Sequence, residues 1–175
     1  MPRPGKGLSK TERLLRIYHI FRFYEEVSMQ ELRNNLSGWS DKTFSRDIAL
    51  LKRAGVPIRF SGRRKAFVLA DEDGNELFRH KYRTVPDLPE DKKERQFLEK
   101  IIRLTTMMDE LPYEDCDIWY RKTFPECSKR TMQRDFAVLK EVGYEVYYKR
   151  GWESPYGEGY DQPIRRYYFE GVHNP

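Results

Sequence analysis

The sequence predicts an α+β fold, mainly helical, in which one small domain is built twice in tandem. Three observations lead there. Residues 40–55 (SDKTFSRDIALLKRAG) return as residues 128–143 (SKRTMQRDFAVLKEVG), with eight identities at a constant offset of 88, and such self-similarity marks a repeated unit. The identities are Ser40/Ser128, Thr43/Thr131, Arg46/Arg134, Asp47/Asp135, Ala49/Ala137, Leu51/Leu139, Lys52/Lys140 and Gly55/Gly143. Each copy follows two helical patterns and precedes two short β-rich runs. Finally, 175 residues leave room for two domains, each of about 80 residues and just able to bury a core of its own.

The first helix is announced by Ser9 as cap, Glu12 three positions on, and apolar residues at Leu14, Leu15, Tyr18, Phe21 and, less regularly, Ile17 and Ile20. Among the histidines, His19 is placed by this pattern at the surface or boundary of that helix. Ser28 and Glu31 form a second capping box opening a short helix, MQELRNNL, and Gly38-Trp39 makes a turn. Ser40 caps the third helix, which buries Phe44, Ile48 and Leu51 and ends at Gly55. Residues 56–60 and 66–69 then read as a hairpin with Arg63, Arg64 and Lys65 at its tip. A short helix, a turn, a third helix with a cationic face and a hairpin are the parts of a winged helix-turn-helix, predicted over residues 1–70.

Residues 71–92, with Pro86, Pro89 and most of the local acid, read as a connector, with a turn at 71–74 and a strand at 76–82. Residues 93–175 read as the second winged helix-turn-helix domain. Its first helix carries Phe97, Leu98, Ile101, Ile102, Leu104 and Met108; Asp115 caps the second, which Pro125 stops; Ser128 caps the third. Strands follow at 144–149 and 165–169, and the glycines and prolines of residues 150–163 predict a wing or loop much longer than the first. Tyr147, Tyr148, Tyr156, Tyr160, Tyr167 and Tyr168 make an aromatic, Arg-flanked region assigned to strand packing, with stacking on bases as the other use.

The net charge of +5 is unevenly held: residues 1–70 carry 15 Lys/Arg against 6 Asp/Glu, and residues 93–175 carry 14 against 15. That excess suggests a polyanion partner for the first domain. No apolar run reaches the roughly 20 residues that span a bilayer, and MPRPGKGLSK lacks the apolar core of a secretion signal. No membrane role and a cytoplasmic location are therefore expected. Cys116 and Cys127 have no metal-ligand spacing, and the three histidines lack the partners of a catalytic site. The protein is accordingly read as a non-enzyme with no cofactor and no metal.

An α-helix fits the major groove of duplex DNA through residues near its N-terminus that face away from its own core. In the third helix Lys42, Ser45 and Arg46 are assigned to base edges, and Ser40 and Thr43 to phosphate at the helix N-terminus. Lys52, Arg53, Arg63, Arg64 and Lys65 are assigned to the DNA backbone or adjacent minor groove. By the same geometry the second copy offers Lys129, Arg130, Gln133 and Arg134, although its neutral charge leaves dimerisation or effector binding as its other role. Asp47 and Asp135 are read as orienting neighbouring groups, away from an acidic polymer.

TERLLRIYHIF, SMQELRNNL and SDKTFSRDIALLKRAGVPI together resemble the N-terminal winged helix of DeoR-type regulators and of regulators bearing a WYL domain. The resemblance covers residues 10–69 and, more loosely, 94–169. It implies that Ser40, Thr43, Phe44, Arg46, Asp47, Ile48 and Leu51 belong to a DNA-reading helix, and their counterparts from Ser128 to Leu139 to a second. In those regulators a sensor domain follows, whereas here a second copy stands in its place, so ligand sensing does not carry over. The expectation is a sequence-specific double-stranded DNA-binding transcriptional repressor, reading two half-sites in one chain or pairing as a homodimer through one copy. A tandem winged-helix replication initiator and a winged-helix protein-interaction module are the alternatives.

Overall fold

A computed structural model describes residues 7–70, 83–153 and 162–173 of the chain. Helix α1 (Lys10–Phe23) starts where its sequence specifies: the Ser9 Oγ accepts from the Glu12 N–H at 3.2 Å, and the Glu12 carboxylate accepts from the Ser9 N–H at 2.6 Å. Strand β1 (Glu26–Val27) follows, and the same reciprocal box on Ser28 and Glu31 opens α2 (Met29–Asn35). After Gly38, at φ +90°, Ser40 caps α3 (Asp41–Arg53), and Gly55, also at φ +90°, ends it in a conformation that costs other residues strain.

The hairpin is β2 (Ile58–Ser61) and β3 (Ala66–Leu69), paired antiparallel from Ile58↔Leu69 to Ser61↔Ala66. β1, two residues long and without a visible alternation pattern, completes the sheet in the order β1-β3-β2 through Glu26↔Val68 and Val27↔Phe67. Leu14, Leu15, Tyr18, Phe21, Leu32, Phe44, Ile48, Leu51 and Ile58 form the core beneath. His19 is 2% exposed, edge-on to Phe23 at 4.7 Å between ring centres. This corrects its expected surface position: Ile17 and Ile20 are buried as well as the expected face, so α1 is covered almost all round in its middle turns.

The chain divides into two compact units at Asp109/Glu110. Helix α4 (Lys92–Glu110), expected to open the second domain at residue 93, thus counts almost wholly with the first. Its Asp109 side chain, 4% exposed, accepts from the Tyr18 hydroxyl at 2.7 Å and from Arg83 at 2.8 Å, with Arg22 at 3.2 Å. Burial first, and then the Asp109 carboxylate, raise the Tyr18 phenol well above its ordinary pKa, which keeps it a neutral donor. The connector returns along the end of α3, where the Thr84 N–H donates to Gly55 at 3.0 Å and the Asp87 N–H to Arg53 at 2.9 Å. The expected turn at 71–74 and strand at 76–82 lie outside the described residues.

The second unit holds α5 (Cys116–Thr123), α6 (Lys129–Glu141), and the antiparallel ribbon of β4 (Tyr144–Glu153) and β5 (Gln162–Val172). Tyr120 and Phe136 meet edge-on at 5.8 Å, and Phe136 meets Tyr167 at 5.0 Å. Asp115 stands at the start of α5 but makes no capping bond: it is left-handed, at φ 54°, with Arg166 3.8 Å away. The ribbon is longer than predicted, because Gly151 pairs with Ile164 and Trp152 with Pro163. Residues read as loop are strand here because each strand has a single partner, so proline's missing N–H breaks no second ladder. Tyr156 and Tyr160 lie outside the described residues. Among the described residues, no helix is long and apolar enough to cross a membrane.

The α1 cap carries a pH dependence. Hydrogen bonds from Ser9 hold the Glu12 carboxyl below its ordinary 4.5, so its contribution is present above that value and is lost as pH falls through the lower folded one. Ser9→Ala should therefore cost about 1 kcal/mol at neutral pH. Urea unfolding at pH 7 and pH 3 checks this, the deficit shrinking at the acidic end.

Candidate nucleic-acid interface

The orientation of α3 follows from what its inner side holds. Phe44, Ile48 and Leu51 are buried, and so is Asp47, at 2% exposure. Arg13 of α1 donates to Asp47 through both Nε and Nη2, the latter at 3.2 Å, and its guanidinium lies over the Trp39 ring at 4.1 Å. A buried carboxylate held by two parallel donors fixes the rotation of the helix about its axis. Lys42, Ser45, Arg46 and Ala49 are consequently exposed, and their spacing of three and four residues places them in one stripe. Lys52 is exposed three residues beyond Ala49.

At the start of the stripe Ser40 is exposed, and its Oγ accepts from the Thr43 N–H at 3.3 Å. The half-buried Thr43 has its hydroxyl 3.1 Å from the same oxygen. Arg33 of α2 donates to both Asp41 oxygens at 2.7 Å and ties the two helices together. Sequence reading missed this bond, since Arg33 lies eight residues away across a turn. At the far end Arg53 is half-buried, 3.5 Å from Asp87, so its charge is engaged by the connector.

The hairpin tip, residues 62–65, exposes Arg63, Arg64 and Lys65. Lys65 is left-handed at φ 53°, and the Arg64 N–H donates to Ser61 at 3.3 Å. Arg64 also stands 3.7 Å from Glu26, an ion pair exposed on both sides, whereas Arg63 and Lys65 have no acidic partner among the described residues.

In the second unit Lys129, Arg130, Gln133 and Arg134 are all exposed on α6, whose cap Ser128 accepts from the Thr131 N–H at 3.2 Å. Asp135, at 1% exposure, accepts from the Tyr120 hydroxyl at 2.6 Å. The duplicated aspartates therefore do one job with different donors, turning the helix core-side in so that the adjacent Arg46 or Arg134 faces out. Cys116 is buried and its thiol is pushed up to about 12 by that burial, so it is an inert packing residue. Compared with known protein families, curated proteins and solved structures, the chain matches none.

Proposed function

We propose that the first unit is a winged helix-turn-helix, that the second is a divergent copy of it, and that the protein binds double-stranded DNA sequence-selectively as a cytoplasmic transcriptional repressor. The observation that carries this reading is the exposed stripe Lys42, Ser45, Arg46 and Ala49, held outward by the buried Arg13–Asp47 pair. Lysine and arginine donate to guanine O6 and N7, and serine, which both donates and accepts, pairs with either kind of edge. The cationic hairpin tip and the charge excess of residues 1–70 supply the sequence-independent attraction to phosphate. The likeness to DeoR-type regulators points the same way.

Selection of bound duplexes from a random-sequence pool, followed by titration at two salt concentrations, tests it. Binding should weaken steeply with salt; Arg46→Ala should cost about 1–3 kcal/mol and blur one base position, while Arg63→Ala should weaken all sequences alike and lower the salt slope by about one. A wild-type protein that retains nothing from the pool, at low or high salt, removes the reading.

A further inference from the structure

The β4–β5 ribbon carries a surface that the duplex-binding reading does not use. Directly opposed residues of an antiparallel pair share a face, and alternate residues along a strand do too. One face thus runs outward from the core through the pairs Val146↔Phe169, Tyr148↔Tyr167, Arg150↔Arg165 and Trp152↔Pro163. Its inner end is anchored, since Val146 is buried and Tyr167 packs on Phe136. Its outer end is open: Tyr148 is 49% exposed, Trp152 is 72% exposed, and both arginines are exposed.

Two features are costly for a ribbon without a partner. Arg150 and Arg165 stand opposite one another, and like charges in that position repel. Neither has an acidic partner among the described residues, whereas Arg166, on the other face, has Glu114 and Asp115 at 3.9 and 3.8 Å. The exposed tryptophan lies two residues beyond this cation pair on the same face, and Tyr148 two residues before it. An anion between the arginines relieves the repulsion, and flat apolar groups on either side cover the rings. Aromatic rings that flank phosphate-binding cations match single strands, whose base faces are free; in a duplex those faces are stacked on one another.

We propose that this ribbon face binds single-stranded nucleic acid, with Tyr148 and Trp152 stacking on bases and Arg150 and Arg165 holding the phosphate between them. This site is independent of the α3 stripe and stands or falls separately from the duplex reading. The test measures fluorescence anisotropy of the full chain with a labelled thymidine oligonucleotide and the matching uridine oligonucleotide, whose relative affinities tell DNA from RNA. Trp152→Ala should weaken binding roughly tenfold and Trp152→Phe should restore most of it, because stacking tolerates any aromatic ring. Arg150→Ala and Arg165→Ala should each lower the salt slope by about 0.7. Far-UV circular dichroism confirms that each variant is folded. Oligonucleotide binding indifferent to Trp152→Ala, or competed equally by inorganic polyphosphate and by unlabelled oligonucleotide of the same phosphate content, overturns the proposal. So does a preference for a mixed-sequence duplex that is lost with Trp152.

Discussion

Asp47→Ala should destabilise the first unit by about 3–5 kcal/mol, because removing one partner of a buried ion pair strands the other. Arg13, 8% exposed and lying over the Trp39 ring, would lose its buried carboxylate partner. The same substitution should abolish selective DNA binding although Asp47 points away from the proposed interface, because α3 would lose what sets its rotation. Asp47→Asn retains the shape and one acceptor and should fall between. The corresponding change in the second unit, Asp135→Ala, leaves the buried Tyr120 hydroxyl without that acceptor, a neutral donor that costs about 1–3 kcal/mol. Urea unfolding of the four proteins, wild type included, checks the ranking. A smaller loss for Asp47→Ala than for Asp135→Ala would show that the ion pair does not anchor α3.

Gly55→Ala should be the second severe substitution, and its counterpart Gly143→Ala a mild one. Both glycines have positive φ, +90° and +96°, and both carbonyls accept from the chain after the hairpin, from Thr84 and His173 respectively, at 3.0 Å. A Cβ in that conformation costs about 1–2 kcal/mol in either copy. At Gly55, however, the added carbon would stand 2.6 Å from the Thr84 carbonyl oxygen, a backbone atom, whereas at Gly143 it would meet the His173 side chain at an ordinary 3.6 Å. Moving the connector away from Gly55 should add about 1–3 kcal/mol, the usual scale of overpacking. Thermal unfolding of the two variants checks this, and equal losses would mean that the connector does not press on the end of α3.

These contrasts separate two kinds of information in the chain. The caps at Ser9, Ser28, Ser40 and Ser128 and the terminating glycines are readable in sequence because donor and acceptor lie within one helical turn. The outward set on α3 is readable for a related reason, since burying Phe44, Ile48 and Leu51 at the helical period leaves Lys42, Ser45 and Arg46 nowhere else to face. The failures are also physical. His19 looked like a boundary residue because a period reports one buried face, and α1 is buried on more than one. The outer end of the ribbon looked like a loop because Gly151 and Pro163 break strands that have two neighbours, and here there is one.

Local caps and the exposed cationic stripe were therefore decided by residues a few positions apart, where backbone geometry alone sets who meets whom. The choice of Arg13 as donor to Asp47 and Tyr120 as donor to Asp135, 34 and 15 residues away, needed the folded chain. So did the bond between α4 and α1, with Asp109 reaching Tyr18 across 91 residues, and the meeting of Arg150 with Arg165 across the ribbon. Such partners are selected by burial, which a one-dimensional pattern does not encode: a buried carboxylate takes whichever donor the packing brings within reach.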